Sequence, residues 1–157
     1  MSNKAKLSMY ASHHSLYVQD SLAWNNPEEV SFDERTTADR LAVGQNVLVI
    51  GTGSHGNVKV VVEADDVEPP LDLSEWDHVT EAGIDVPSGV VLVMGCLSYQ
   101  GLFFWVRKGH RRVRCCHANL QGSVECGKGR DWYLIQIWPA EPAPARVLKR
   151  WSPQQSN

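Results

Sequence analysis

No Cys-x-x-Cys pair, no H-E-x-x-H, no nucleophile elbow and no Ser/His/Asp spacing occurs anywhere in the 157 residues, so the usual signatures of zinc binding, redox and hydrolytic catalysis are missing. No apolar run approaches the length needed to span a bilayer. The N-terminal MSNKAKLSMYA has two lysines but no apolar core behind them, which argues against a secretory signal and for a cytoplasmic protein. The four cysteines, Cys96, Cys115, Cys116 and Cys126, are an even count but not a disulfide framework, since two are adjacent and the chain is long enough to bury a core without one. Reduced thiols are therefore expected. Cys115, Cys116, His117 and Cys126 do not make a zinc set either, because neighbours on a strand project to opposite faces. No cofactor is expected.

What is present is β-strand. Hydrophobic residues make up 43% and charged residues 21% of the chain, the balance of an ordinary globular domain. Its organising stretch is Trp76 to Cys96. Ile84 and Val86 alternate with Asp85 up to a Pro87-Ser88-Gly89 turn, and Val90 to Met94 is an unbroken apolar run of the kind found in buried strands. Strand, turn, strand reads here as a central hairpin. Before it, Leu7 to Asp20 gives one or two strands broken near His13-His14, where adjacent side chains point apart and do not form a metal pair. Asn26-Pro27-Glu28-Glu29 has the cap, first-turn proline and acids of a helix start, so one short helix is placed between Pro27 and Leu41.

Val47 to Ile50 runs into Gly51-Thr52-Gly53-Ser54-His55-Gly56, a literal G-x-G-x-x-G. The fingerprint requires a helix next, and the alternating Asn57 to Glu63 reads as a strand, so the glycines are assigned to a β-hairpin and not to a nucleotide. Leu102 to Val106 is an aromatic-rich strand taken as core, with Arg111 to His117 returning beside it. Gly127-Lys128-Gly129 lacks the rest of a P-loop. Trp132 to Trp138 is the last strong strand, with Tyr133, Ile135 and Ile137 on one face. Val147-Leu148 adds edge structure.

These elements predict an all-β chain: an antiparallel β-sandwich of about seven to nine strands with one short helix, an open barrel being the alternative, with a single domain over 1–151 and a disordered tail over 152–157.

Charge is segregated. Glu63 to Asp85 holds nine carboxylates and no Lys or Arg, while Arg107 to Arg114 holds Arg107, Lys108, Arg111, Arg112 and Arg114 with no acid. Solvated or mutually paired faces are one reading. The sharper one is an acidic interaction face made of Asp65, Asp66, Glu68, Asp72, Glu75 and Asp77, with Trp76 as an aromatic anchor. The basic hairpin at 107–114, following aromatic residues, is an alternative site for single-stranded nucleic acid, disfavoured by the acidic net charge of −3. A small-ligand site using His13, His14 or Asp20, or a carbohydrate module using some of the six tryptophans, is a further class. Exposed tryptophans would mark the latter.

The order of features resembles the competence protein J family and related immunity-like bacterial β-sandwich proteins. The resemblance rests on Tyr17-Val18-Gln19-Asp20, Trp24, Leu41-Ala42-Val43-Gly44 through Gly53, the acidic Trp76 to Val86 strand, the Pro-Ser-Gly turn, and Trp138-Pro139, and spans roughly Tyr10 to Trp138. It implies a non-catalytic protein that binds and inhibits a nuclease or toxin. The basic Arg107 to Arg114 segment departs from that pattern.

Overall fold

The computed structural model describes residues 3–24, 30–96, 101–124 and 128–153. Among them are eleven strands, more than the seven to nine expected, with one α-helix and several short 3-10 turns; the all-β expectation holds. The strands are β1 (Asn3–Ala11), β2 (Ser15–Asp20), β3 (Leu41–Val43), β4 (Val47–Gly51), β5 (Gly56–Ala64), β6 (His78–Val86), β7 (Val90–Gly95), β8 (Gly101–Trp105), β9 (Gly109–Ala118), β10 (Lys128–Pro139) and β11 (Arg146–Lys149). They form a six-stranded sheet in the order β1-β5-β10-β9-β6-β11 and a five-stranded sheet in the order β3-β4-β2-β7-β8. Every pairing is antiparallel except β5 with β10, which is parallel and departs from the expected pattern.

One core serves both sheets. Val60, Val62, Ile84, Val113, Cys115, Tyr133, Ile135 and Ile137 of the larger sheet pack with Leu16, Val18, Leu48, Ile50, Val91, Val93 and Phe104 of the smaller. Each set occupies alternate positions along its strand, the period-two pattern that puts one face of a sheet inward. Cys115 and Cys116 accordingly separate, the first into this core and the second into a cluster with Trp76 and Val79 on the far side of the sheet. Cys96, Cys115 and Cys116 are free thiols; Cys126 lies outside the described residues.

Three expected hairpins are instead corners between the sheets. β6 belongs to the larger sheet and β7 to the smaller, so Pro87-Ser88-Gly89 carries the chain across the core. Asp20, fully buried at the end of β2, holds that corner by accepting the Ser88 backbone N–H at 3.1 Å and the Ser88 hydroxyl. Gly89 adopts φ +75°, a left-handed conformation that favours glycine. The glycine-rich segment after β4 likewise leaves the smaller sheet for the larger, and β8 parts from β9 in the same way. Alternation with a tight turn is common to a hairpin and to a corner, and only pairing partners tell them apart.

The helix α1 (Glu34–Asp39) falls inside the expected window. Its cap is Asp33, whose carboxylate accepts the Thr36 N–H while the Thr36 hydroxyl accepts the Asp33 N–H, each at 2.8 Å. The Asn26-Pro27-Glu28-Glu29 start lies outside the described residues. His13 and His14 sit in a 3-10 turn between β1 and β2 with φ of 56° each, and not on a strand.

Candidate functional site

The G-x-G-x-x-G segment shows how local chemistry can override a motif. β5 follows it, and no helix. The amides that would cradle a phosphate are occupied: Thr52 N–H donates to the His14 carbonyl at 2.8 Å, Gly53 N–H to the Tyr133 hydroxyl at 2.8 Å, and Ser54 N–H to the buried Asp131 carboxylate at 3.0 Å. Asp131 also accepts from the Ser54 and Tyr133 hydroxyls. A carboxylate thus fills the position an anionic ligand would need.

The opposed charge blocks meet through strand register. β6 runs antiparallel to β9, placing Glu81 opposite Arg114 and Asp85 opposite His110. Glu81 is 2% exposed and accepts from Arg112 Nε at 3.2 Å, Arg114 Nε at 2.9 Å and Arg146 Nη2 at 3.4 Å. Burial works to raise its pKa, but the hydrogen bonds and charges of Arg114, Arg112 and Arg146 outweigh burial and hold it below the ordinary value. Arg114, 2% exposed, also donates to Glu68 Oε1 at 2.9 Å, the Pro69 carbonyl at 3.0 Å and Gln136 Oε1 at 3.1 Å. Its guanidinium lies over the Trp138 ring, 4.8 Å from the centroid. Arg112 reaches the carbonyls of Ala143 and Pro144 at 3.0 and 2.9 Å. The network ties β6, β9, β10 and β11 to the 65–77 and 140–145 connections. Among the described residues, no side-chain nitrogen or oxygen of Glu81, Arg112 or Arg114 is buried without a hydrogen-bond partner, the condition under which a buried ion cluster is tolerated.

This arrangement decides what the basic segment offers. Arg112 and Arg114 are buried in the network, and Arg111 is buried with its guanidinium on the Arg107 and His110 carbonyls. Only Arg107 and Lys108 of the five are exposed. The segment is not a hairpin with the aromatic strand, and it does not present a cationic face. The aromatic strand also differs from expectation: Phe104 is core, whereas Phe103 is 63% and Trp105 79% exposed.

The acidic segment remains largely accessible. Between β5 and β6 it crosses the outer face of the six-stranded sheet, fixed at successive points. Asp65 N–H donates to the Ile137 carbonyl at 2.8 Å, Arg114 holds Glu68 and Pro69, Lys149 Nζ donates to the Leu73 carbonyl at 2.9 Å, and Asp77 N–H reaches the His117 carbonyl at 2.9 Å. Asp66, Glu68, Asp72 and Glu75 are exposed, with Asp65 and Asp77 half-buried. Asp72 takes the hydroxyl and N–H of Ser74, which lower its pKa. Desolvation and the charge of Glu63 raise that of Asp65. Asp77 accepts the Leu120 N–H at 2.9 Å. Trp76 is 8% exposed and packs edge-on against Trp132, ring centroids 5.1 Å apart. It pins the loop from beneath and leaves little ring surface for a partner. A groove of about 260 Å³ at the start of the loop is lined by Asp65 and Asp66 together with Trp105, Arg107 and Arg111.

Glu81, Gln136 and Arg146 did not stand out in the sequence. The signal for Glu81 was its offset from Arg114 in two alternating strands, which becomes informative only once β6 and β9 are known to pair. Among the described residues no group of His, Cys, Asp or Glu is arranged to hold a metal ion, and no helix is long and apolar enough to cross a membrane.

No protein-family model matches the chain, and no curated protein does. Among solved structures, the fold is similar to the crystal structure of ComJ, inhibitor of the DNA degrading activity of NucA, from Bacillus subtilis, over 89% of this chain and 99% of that one, with a TM-score of 0.70 at 12% identity. It is also similar to the protein titled Crocagin biosynthetic gene J, over 90% of this chain and 99% of that one, with a TM-score of 0.56 at 15% identity. At these identities the likeness is one of fold, and the chain has a ComJ-like fold.

Proposed function

We propose that this protein is a non-enzymatic, inhibitor-type binding protein whose partner is a nuclease or toxin with a basic surface, engaged through the 65–77 loop. The observation that carries the reading is the loop itself: six carboxylates, Asp65, Asp66, Glu68, Asp72, Glu75 and Asp77, with no Lys or Arg among them, fixed to a rigid sheet at several points. A nuclease must hold a phosphate backbone and so carries a cationic cleft. A preordered row of carboxylates suits such a cleft without the entropy cost of ordering a loop on binding. The ComJ-like fold supports the same class of role, since ComJ is an inhibitor of a DNA-degrading activity.

Exposure favours Trp105 over Trp76, the anchor expected from the sequence, in this reading. Trp105, beside Asp65 and Asp66 in the groove, has the exposed ring that Trp76 lacks. An aromatic residue flanked by charges is the composition of an interface hot spot.

The test is capture from the native host at low salt, elution on a salt gradient and identification of what elutes. A basic nuclease or toxin is expected, and charge reversal at Asp72 and Glu75 should weaken its binding by more than about tenfold. Recovery of nucleic acid alone, or binding indifferent to both reversals, would exclude the acidic-face reading.

A further inference from the structure

A sheet edge offers unpaired backbone groups, and soluble proteins normally guard it with charge, brevity or a cover. Three of the four edges here are guarded. β1 carries Lys4 and Lys6, β11 carries Arg146 and Lys149, and β3 has only three residues. The fourth, β8, pairs among the described residues with β7 alone, and its five residues, Gly101-Leu102-Phe103-Phe104-Trp105, include no charge. It also carries the two most exposed aromatic side chains among the described residues, Phe103 and Trp105.

The spacing of these residues is self-complementary. Gly101, Phe103 and Trp105 share the outer face of the sheet, because side chains alternate along a strand. If β8 pairs antiparallel with itself about a twofold axis through Phe103, Phe103 faces its own copy and each Trp105 falls opposite the other chain's Gly101. A large aromatic ring lying across a glycine on the facing strand is a favourable cross-strand arrangement. The Leu92 side chain already occupies the space a Cβ at Gly101 would take, with its Cδ1 2.7 Å from that point. The ring of the second copy would therefore meet an apolar floor.

We propose that β8 is a homodimerisation edge, joining two five-stranded sheets into a continuous one through β8 of a second copy. Two Phe and two Trp side chains, at roughly 150–250 Å² each when buried, together with a five-residue ladder, bring the contact to about the lower limit of specific interfaces. The dimer is accordingly weak, with dissociation in the micromolar range, and it competes with the partner proposed above for Trp105, which only the monomer leaves exposed.

Sedimentation of the full chain from low-micromolar to submillimolar concentration tests this. Reversible monomer–dimer behaviour is expected, with Trp105→Lys weakening it at least about tenfold and Val43→Lys, at the opposite edge of the same sheet, leaving it unchanged. Amide exchange read on β8 should slow as wild-type concentration rises, a readout that is independent of the variants. A chain that stays monomeric across that range, or a dimer that survives Trp105→Lys with β8 amides unprotected, would overturn the proposal.

Discussion

Replacing Glu81 by Gln removes one negative charge and little volume, and the structure makes the consequence large. Arg112 and Arg114 are 5% and 2% exposed, so neither guanidinium can turn to water when Glu81 is neutralised; Arg112 loses its carboxylate partner and Arg114 keeps only the exposed Glu68. Breaking one side of a buried ion cluster costs about 3–5 kcal/mol, because a charge is left uncompensated in a poorly polarisable place. Set against a typical domain stability of about 5–15 kcal/mol, that is a large fraction of the whole. For a chain of this size the midpoint of thermal unfolding should fall by roughly 6–20 °C. Urea unfolding followed by tryptophan fluorescence gives the free energy directly. A companion variant separates charge from shape: with Glu81→Leu, Arg112→Met and Arg114→Met combined, an apolar set replaces the cluster and most of the lost stability should return. A loss under about 1 kcal/mol for Glu81→Gln, the size expected of an exposed pair, would refute the claim that this network is buried and coupled.

Other consequences follow from the same geometry. His78 and His117 are buried with lowered pKa values, desolvation being the main cause; a histidine kept neutral by folding stabilises above its unfolded pKa of about 6.5 and loses that contribution as pH falls below it. Unfolding free energy should therefore decline from pH 7 to pH 5 (approximate limits of the histidine range), and His117→Phe should flatten the decline. Glu81 adds a second acid-side loss at lower pH, since its pKa is depressed and its contribution disappears only as it protonates. Trp76→Ala should cost about 3–5 kcal/mol, while Trp105→Ala, at a ring mostly in solvent, should barely change monomer stability. Burial raises the Cys115 thiol and pushes Cys116 up to about 12, so in a Cys126→Ser background a thiol reagent at neutral pH should label Cys96 and leave the adjacent pair untouched until the protein unfolds.

The all-β class was legible because alternation at Ile84–Val86, Val58–Val62 and Tyr133–Ile137 reports one buried face directly. Pairing was not. Pro87-Ser88-Gly89 and the Gly51 to Gly56 segment have the composition of hairpin turns, and nothing local distinguishes a turn within a sheet from one that crosses the core. That misassignment hid the candidate site's main feature. With β9 placed beside β8, the arginines at 112 and 114 look free; with β9 beside β6, they lie against Glu81 and are spent. The aromatic run at 102–106 was misread for a related reason. An uninterrupted apolar stretch suggests burial on both faces, but β8 is an edge strand, and Phe103 and Trp105 face outward. The acidic loop, by contrast, was visible in composition alone, whereas the cations that the fold brings to it, Arg114 on Glu68 and Arg107 and Arg111 beside Asp65 and Asp66, were not.

The most direct test of the central claim is the association rate with the captured basic partner as ionic strength rises, for the wild-type chain and for a variant carrying Asp66→Lys, Asp72→Lys and Glu75→Lys. The account predicts a rate that falls steeply with salt in the wild type, and a variant slower by more than about tenfold at low salt with little salt dependence left. Equal rates for the two proteins, or a wild-type rate independent of salt, would contradict recognition through the acidic loop.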